Sequence, residues 1–473
     1  MEIRVLEIRI ADQLCGHVFL YARGQAQELI RFVPAETYVT NPGRLTLSQA
    51  YLGRTEEETV KVLRDVTTAE FNGSRKASDG SMQLPAWFQN LLPEGAFLDH
   101  IAELRGCARN DHFEILAACG KDLPGAVEAT PADVDAALTQ RLVTQDQDAL
   151  EMSVVDVPMR EGVSLSGVQP KLSVNEKDGR YVARTKIDEV TRIIAKLPVV
   201  KHPLMPEVEH TSMELAKLAG VDACETKLVP LSALEAKHGY DLGDVEPDKT
   251  KFLAVTRYDR EMASRVHAED FAQIFNVVPE NKYTKDVSYA EMMLFMQQVP
   301  SLGESAVFEF LRRLVVSELL GNPDLHMKNA GVYYPDGVDP VLPPAYDIVS
   351  HYVLNRARGH ALHILPREAE AHQLEDQKKT LPESQYLLVA RPGTMRALGK
   401  LIGIAEKRLS AVVDEVVRKA AQLWPDAIRE SPMTSTQKRV LLDYFESHPA
   451  VEAIRRREQR RAASQPAETS GTT

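Results

Sequence analysis

Two side chains that can do chemistry together stand five positions apart in the segment Asn322-Pro-Asp324-Leu-His326-Met-Lys328-Asn329. A carboxylate such as Asp324 can accept a proton from an attacking hydroxyl group, and the amide oxygen of Asn329 can bind a magnesium ion. An Asp and an Asn at this interval are typical of loops at which phosphoryl groups are transferred. Asp and Asn beside Pro and Gly also form ordinary turns, so the neighbouring elements decide between the two interpretations.

The stretch before this loop, residues 304–320, has the pattern of an amphipathic helix. A Gly-Asn-Pro sequence at 321–323 ends it. The helix therefore fixes Asp324 at the start of a loop that leaves a buried element. The residues predicted to face the core are Phe308, Leu311, Val315 and Leu319.

The stretch after the loop is predicted to fold back as a β-hairpin. Residues 331–334 favour a strand, Pro-Asp-Gly at 335–337 favours a turn, and a second extended run ends at Pro344. Such a hairpin would return Asp347 to the neighbourhood of Asn329, and an Asp and an Asn on adjacent loops suit a hard cation. Asp347 lies in Ala-Tyr-Asp-Ile-Val, whereas ordinary protein kinases have Asp-Phe-Gly at this point.

Composition excludes some classes of protein. The 473-residue chain has a net charge of −12, which argues against a protein that binds nucleic acid on its own, because such binding depends on Lys and Arg neutralising phosphates. Four scattered cysteines indicate reduced thiols, and His360-x-x-His363 lacks a nearby third metal ligand. With no signal pattern and no long apolar run, we expect a soluble cytoplasmic protein without a membrane segment.

Periodicity along the chain predicts an α+β protein with two lobes and a protein-kinase-like fold. The first 40 residues or so alternate as in a half-buried sheet, residues 85–120 are helical in pattern, short strands mix with one helix from about 160 to 260, and helices dominate after about 270. The best helical stripe covers residues 398–423. The predicted domains are an N-terminal subdomain (1–130), a linker (131–160), a small lobe (161–265), a helical catalytic lobe (266–450) and a basic, disordered tail (451–473).

A phosphate loop is predicted at the start of the small lobe, in Gly162-Val-Ser164-Leu-Ser166-Gly167-Val-Gln169-Pro-Lys171. Two glycines five positions apart allow backbone N–H groups to approach phosphate oxygens closely. The spelling is neither a Walker A loop nor Gly-x-Gly-x-x-Gly, and a flexible connector into a strand is the alternative. Pro170 removes one N–H donor from the loop.

Lys196 lies within a predicted apolar strand, residues 193–196. A buried ammonium needs a partner, which phosphate oxygens or a carboxylate on the following helix, Glu209 or Glu214, could supply. The alternative is an edge-strand lysine that points to solvent. The next strand ends near Thr256 and Tyr258, where the connector between two lobes would offer backbone groups to adenine.

The chain up to about residue 445 resembles the HipA-type toxin serine/threonine kinases. The matching stretches, in order, are Asn90-Leu-Leu-Pro-Glu94 with Asp122-Leu-Pro-Gly125-Ala-Val127, the loop at 164–171, Ala254-Val-x-Arg-Tyr-Asp-Arg260, His267-Ala-Glu-Asp-Phe271, and Asn322 to Asn329 with Tyr346-Asp347. Five matches in one order are more specific than any one of them. Leu325 departs from the family pattern, which often has glycine there.

The resemblance implies an ATP- and magnesium-dependent protein kinase. Asp324 would be the catalytic base, Asn329 and Asp347 would bind magnesium, and Ser164 would be the site of autophosphorylation, with Ser166 as the alternative. Lys196 would contact phosphate, with Glu209 as its helix partner. The implied nucleotide-binding residues are Ser164, Leu165, Ser166, Gly167, Val168, Gln169, Lys171, Lys196, Thr256, Tyr258, His326 and Lys328.

The resemblance also implies partners. These are a helix-turn-helix antitoxin of the HipB type, operator DNA contacted mainly through that antitoxin, and a protein substrate of the aminoacyl-tRNA synthetase class. Two alternatives from other functional classes are a kinase-fold enzyme that acts on a small molecule and an inactive, kinase-like co-repressor. No catalytic residue is visibly missing, as the co-repressor would require.

Overall fold

The computed structural model describes residues 2–23, 27–132, 151–152, 169–186, 189–202, 204–236, 238, 240–262, 264–284, 286–369 and 392–464. Its internal contacts divide the chain into two compact units. The first unit comprises Met1–Lys201, Val229–Lys282 and Ala330–Pro343. The second unit comprises His202–Leu228, Tyr283–Asn329 and Pro344–Thr473. These units are made of interleaved stretches, whereas the five predicted domains are continuous ranges that stay predictions.

The described strands belong to two larger sheets and one two-stranded sheet. They are β1 Glu2–Ile10, β2 Gln13–Arg23, β3 Gln27–Pro34, β4 Val127–Pro131, β5 Glu151–Met152, β6 Lys171–Lys177, β7 Arg180–Ala183, β8 Ile193–Lys196, β9 Thr226–Pro230, β10 Lys251–Thr256, β11 His267–Asp270 and β12 Gly331–Tyr334.

The described helices concentrate in the second half of the chain. They are α1 Glu36–Val39, α2 Glu56–Arg64, α3 Ala86–Gln89, α4 Gly95–Arg105, α5 His112–Cys119, α6 Met205–Leu218, α7 Phe271–Ile274, α8 Tyr289–Gln298, α9 Gly303–Leu320, α10 His351–Asn355, α11 Pro392–Ile402, α12 Glu406–Glu430, α13 Ser435–Glu446 and α14 Pro449–Ser464. Within the described ranges, no helix is both long enough and apolar enough to cross a bilayer.

The first sheet has the order β3-β2-β1-β4, with β5 beside β1. Alternate residues of β1, namely Leu6, Ile8 and Ile10, face the main core of this region together with Trp87 and Phe113 from the helical stretch that follows. The predicted half-buried sheet and the predicted helices of residues 85–120 are confirmed.

The second sheet has the order β7-β6-β8-β10-β9. A tight turn at Asp178 and Gly179, both with positive φ, joins β6 to β7 as predicted. Because β8 lies between β6 and β10, Lys196 belongs to an inner strand and its side chain is buried. The edge-strand interpretation of Lys196 is therefore wrong.

The hairpin predicted after the loop is present. β12 pairs with β11, the turn contains Gly337 in the left-handed region (φ 81°), and Tyr333 and Val341 exchange two backbone hydrogen bonds of 2.9 Å.

The helices of the second unit confirm the predicted helical content but differ from it in detail. In α9 the buried aromatic is Phe310, while Phe308 is half-buried with the Arg408 guanidinium over its ring. The stripe over 398–423 belongs to two helices, α11 and α12, because Gly403 adopts a left-handed conformation (φ 76°) between them.

The predicted disordered tail is wrong as far as Ser464, because α14 covers Pro449–Ser464. Val451 and Ile454 are buried, and Arg455 and Arg457 lie 3.3 and 3.5 Å from Glu446 and Asp414. Two of the arginines that suggested a solvated tail thus form ion pairs, while apolar residues earlier in the same helix pack. Residues 465–473 lie outside the described residues.

Candidate active site

The loop that carries Asp324 is fixed by the end of α9. Gly321 adopts φ 64°, and a Cβ there would lie 2.6 Å from the Cβ of Tyr352, so the chain can turn here only with glycine. Asn322 is buried, its backbone N–H donates to the Ser317 carbonyl (2.8 Å), and its Oδ1 accepts from the Asp324 N–H (3.1 Å). The turn that holds Asp324 is therefore tied to the helix at both of its ends.

The Asp324 carboxylate remains accessible while the rest of the loop is buried. Its side chain is 30% exposed, and its backbone carbonyl accepts from Asn329 Nδ2 at 2.9 Å. His326, Lys328 and Asn329 are all buried. The structure therefore brings Asp324 and Asn329 together, as the five-residue spacing predicts.

His326 faces the same carboxylate. Its Nδ1 accepts from the Lys328 N–H (3.2 Å) and its Nε2 lies 3.9 Å from Asp324 Oδ1. A ring nitrogen that accepts a hydrogen bond carries no proton, so the proton of the neutral ring is on Nε2. The ring therefore lies beside the side chain that is predicted to act as the base, but beyond hydrogen-bonding distance of it.

Asp347 lies on the stretch next to this loop. The hydroxyl of its neighbour Tyr346 donates to the Lys328 carbonyl at 3.3 Å, and Asp347 itself adopts φ 59°, an uncommon conformation for a non-glycine residue that often marks functional sites. Because Asn329 uses its Nδ2 as a donor to Asp324, its Oδ1 is the atom left to bind a cation. An amide oxygen and a carboxylate are hard ligands that fit magnesium.

No group of three or more His, Cys, Asp or Glu residues forms a metal site in the part of the chain that the structure describes. His360 has a different role from metal binding, since its Nε2 lies 3.1 Å from Glu318 Oε2.

In the first unit, two predicted nucleotide-binding lysines lie side by side. Lys171 on β6 is paired with Lys196 on β8 in the register of the sheet, and both side chains are 6% exposed. Facing residues on adjacent antiparallel strands point to the same side of a sheet, so two ammonium groups are concentrated there. Gln169 precedes them and donates to the Leu197 carbonyl (3.2 Å). The remaining loop residues, Ser164, Leu165, Ser166, Gly167 and Val168, lie outside the described residues.

The predicted adenine-contacting segment follows β10. Thr256 is exposed at the end of the strand, Arg257 turns inward, and Tyr258 is half-buried with its ring edge-on to Tyr333 at 5.9 Å. A cavity of about 700 Å³ opens beside Thr256 and Ile193. The roles of Thr256 and Tyr258 in nucleotide binding stay predictions.

The two carboxylates proposed as partners of Lys196 differ in their surroundings. Glu214 forms an ion pair with Lys217 at 3.1 Å on the surface of α6, whereas Glu209 is 1% exposed. The pairing of Lys196 with Glu209 stays a prediction.

Sequence reasoning missed a buried network of charges in the first unit. Arg257 makes a bidentate pair with Asp259 (2.9 and 2.8 Å), and Arg260 contacts Asp259 (2.6 Å) and Asp122 (2.9 Å). Burial opposes the charged form of Asp259, but the positive charges of Arg257 and Arg260 outweigh it and hold its pKa well below the ordinary value. Two of the stretches that carry the family resemblance, 122–127 and 254–260, thus meet in this network.

Sequence reasoning also missed Tyr283. Its hydroxyl donates a hydrogen bond to Asp324 Oδ1, and its ring lies edge-on to His326 with centroids 4.8 Å apart. No spacing signal links the two residues, which are 41 positions apart.

Two protein-family models match the chain. Residues 6–130 match the HipA N-terminal domain and residues 163–424 match the HipA-like C-terminal domain. The chain belongs to the HipA family. The predicted family is confirmed, and the second match covers more than half of this HipA-family chain.

Relatives agree with this assignment. The putative kinase Y4dM of Sinorhizobium fredii is 37% identical over 272 residues, covering 57% of this chain and 63% of that protein. The serine/threonine-protein kinase toxin HipA of Shewanella oneidensis is 26% identical over 300 residues, covering 57% of this chain and 64% of that protein. This HipA-family chain spans between 56% and 64% of the length of the curated relatives that it matches.

A solved structure shares the fold. The structure of HipA from Shewanella oneidensis, in complex with HipB and its operator DNA, matches with a TM-score of 0.64 and 18% identity, covering 95% of this chain and 97% of that chain. The predicted kinase-like α+β fold class is confirmed.

Proposed function

We propose that this HipA-family chain is an ATP- and magnesium-dependent serine/threonine-protein kinase and the toxin of a toxin–antitoxin pair. The observation that carries the proposal is the loop after α9, in which the Asp324 carboxylate is accessible while the Asp324 backbone is fixed. Its N–H donates to Asn322 at the buried helix end, and its carbonyl accepts from Asn329. Such a loop presents a proton acceptor in a fixed position beside a cation ligand, which is what phosphoryl transfer requires of a protein.

Each residue would have a limited task, because positioning and charge neutralisation dominate this reaction. Asp324 would accept the proton of the substrate hydroxyl. Asn329 and Asp347 would hold magnesium, which when bound neutralises charge on the phosphate oxygens.

The two buried lysines support nucleotide binding at the second sheet. Lys171 and Lys196 place two positive charges on one side of it, and a triphosphate is the kind of ligand that two ammonium groups can bind together. In this proposal residues 164–171 cover the phosphates, Glu209 supports Lys196, and backbone groups near Thr256 and Tyr258 contact adenine.

Membership of the HipA family supports the remaining parts of the proposal. The kinase would phosphorylate Ser164, or alternatively Ser166, in its own phosphate loop. Its protein substrate would be of the aminoacyl-tRNA synthetase class, and its partner a helix-turn-helix antitoxin. The HipA of known structure is found with HipB and operator DNA, and by analogy the acidic chain here would contact DNA mainly through such a partner.

The test is transfer of the γ-phosphate of ATP to the protein itself. Asp324→Asn should lower the rate of self-labelling by about 10²–10⁴, as expected for a lost general base. Asp426→Asn is a matched control, because its side chain is 79% exposed and forms an ion pair with Arg429 on the same helix. Equal self-labelling of Asp324→Asn and wild type would refute the assignment.

A further inference from the structure

Tyr283 covers the side chain proposed as the catalytic base. Its hydroxyl donates to Asp324 Oδ1, the same oxygen that lies 3.9 Å from His326 Nε2. The phenol ring packs edge-on against His326, with an angle of 89° between the ring planes. Although it makes these contacts, Tyr283 is 48% exposed, one of the more exposed large side chains of the described chain. The contact is thus formed at the surface, where another molecule can replace it.

The hydrogen bond has the chemistry of the proposed substrate contact. A serine or threonine that accepts the phosphoryl group must first donate its hydroxyl hydrogen to the base. The phenol of Tyr283 is also an O–H donor and already occupies Oδ1. Acceptor and phenol therefore compete for one carboxylate oxygen on the accessible face of Asp324.

We propose that Tyr283 is an acceptor-mimicking gate, which occupies Asp324 until a protein substrate displaces it. The inference rests on the proposed function. The gate shields the base from water and from poorly bound hydroxyl groups, so that only an acceptor with enough binding energy elsewhere reaches Asp324. It is a specificity-determining residue for the acceptor.

The local structure keeps the gate close without burying it. Thr284 and Asp286 form a small turn directly after it, in which the Asp286 N–H donates to Thr284 Oγ1 (3.2 Å) and Thr284 Oγ1 donates to Asp286 Oδ2 (3.0 Å). These bonds are exposed, so the turn can move at low cost when the phenol is displaced.

The test compares full-length wild type with Tyr283→Phe, which removes the hydroxyl and keeps the ring against His326. Two rates are measured: ATP hydrolysis without acceptor, and phosphorylation of a synthetic peptide of residues 160–171. For Tyr283→Phe we expect ATP hydrolysis to rise, and the KM for the peptide to fall, by about three- to tenfold with kcat unchanged, the size of effect expected for one half-exposed hydrogen bond to a charged group. Tyr21→Phe is the control, because the Tyr21 hydroxyl makes no hydrogen bond to any described residue.

The other outcomes separate the inference from the function beneath it. Unchanged hydrolysis and KM in Tyr283→Phe, with an active wild type, overturn the gate alone. A fall in kcat also overturns it, because the phenol would then orient the base rather than cover it. Phosphate found on Tyr283 of wild type by peptide mass spectrometry overturns it in favour of an acceptor role. A wild type that neither hydrolyses ATP nor labels itself overturns the proposed function, and the gate with it.

Discussion

At the scale of single residues, the clearest case is Lys196, whose ammonium is buried opposite a second lysine on the neighbouring strand. If Lys196 binds phosphate, removing its charge weakens nucleotide binding; if it only pairs with other side chains of the protein, removing its charge lowers the stability of the protein without ligand. The two roles affect different measurements, which makes the role of Lys196 testable.

We therefore expect Lys196→Met to lose most of the rise in melting temperature that magnesium-ATP gives wild type. Thermal unfolding with and without nucleotide measures this rise. Lys249→Met, at a position where the side chain is 77% exposed, should behave as wild type. A lower melting temperature with a normal nucleotide shift would mean that Lys196 is structural.

Gly321 allows a second test at this scale. Alanine there must adopt φ 64° and also fit a Cβ 2.6 Å from that of Tyr352, so Gly321→Ala should lower the free energy of unfolding by about 2–4 kcal/mol, the backbone strain plus the cost of overpacking. Gly179→Ala has a similar φ of 76° but nothing within 4 Å of the new Cβ, so about 1–2 kcal/mol is expected. Urea unfolding of both variants separates the cost of backbone strain from the cost of the steric clash with Tyr352. Equal losses of stability in the two variants would argue against the clash.

At this scale, local sequence patterns predicted contacts between site residues that are near each other in the sequence. They missed the contacts between residues that are far apart in the sequence. Asp324 and Asn329 are five positions apart and share one loop, so their meeting follows from the spacing and from the helix before them. Tyr283 could not be predicted, because only the fold brings a residue 41 positions away to Asp324. The five loop residues 164–168 lie outside the described part of the chain, and their roles stay predictions.

At the scale of elements, the C-terminal end of α9 is held by a buried group of ionisable side chains. Glu318 lies 3.1 Å from His360 and 3.3 Å from His448, and the Tyr444 hydroxyl donates to its backbone carbonyl. Burial opposes ionisation of Glu318, but the two imidazoles outweigh it and lower its pKa to about 2. This group joins α9 to the segment at 360 and to the chain between α13 and α14.

The sign of the resulting pH dependence follows from that lowered pKa. The pKa of Glu318 is lower in the folded chain than in the unfolded chain, where it is about 4.5. Its contribution to the free energy of unfolding is therefore complete above pH 4.5 and disappears as the pH falls toward 2. A difference of this size between the folded and unfolded pKa corresponds to about 3 kcal/mol in the free energy of unfolding. We expect Glu318→Gln to be less stable at pH 7 and to lose less stability than wild type between pH 4.5 and pH 2. Denaturant unfolding against pH measures this, with Glu246→Gln, at a position where the side chain is 71% exposed, as control. Parallel profiles of Glu318→Gln and wild type would contradict the prediction.

Element boundaries show what hydrophobic periodicity leaves out. The stripe over 398–423 has one continuous period, yet Gly403 separates it into two helices, because a left-handed residue changes the chain direction without disturbing the apolar pattern. The arginines after residue 454 suggested disorder, because a high density of charged residues is typical of disordered segments. Their acidic partners, Glu446 and Asp414, lie on α13 and α12, which composition cannot reveal.

At the scale of the whole molecule, the N-terminal HipA domain and the end of β10 belong to one compact unit. Asp122 receives Arg260 at 2.9 Å and lies 3.5 Å from Arg184, and the Gly125 N–H donates to Asp259. Residues 138 positions apart thus neutralise each other in the interior, which no local pattern predicts.

Removing one member of this network should be costly. Asp122→Asn leaves buried guanidinium groups without enough negative charge, so we expect a loss of about 3–5 kcal/mol in the free energy of unfolding. Asp99→Asn breaks an ion pair with Arg109 whose side chains are 54% and 62% exposed, and should cost about 1 kcal/mol or less. Chemical denaturation of the two variants is the measurement. Similar losses would show that the network contributes little.

The shared network also bears on how such proteins can diversify. Because the carboxylate of one family domain neutralises the arginines of the other, a relative in which a neutral residue replaces Asp122 should have lost an arginine of the other domain as well. A chimaera that joins the N-terminal domain of such a relative to the Arg257–Arg260 segment of this chain should therefore fold poorly, so the two domains are constrained to change together.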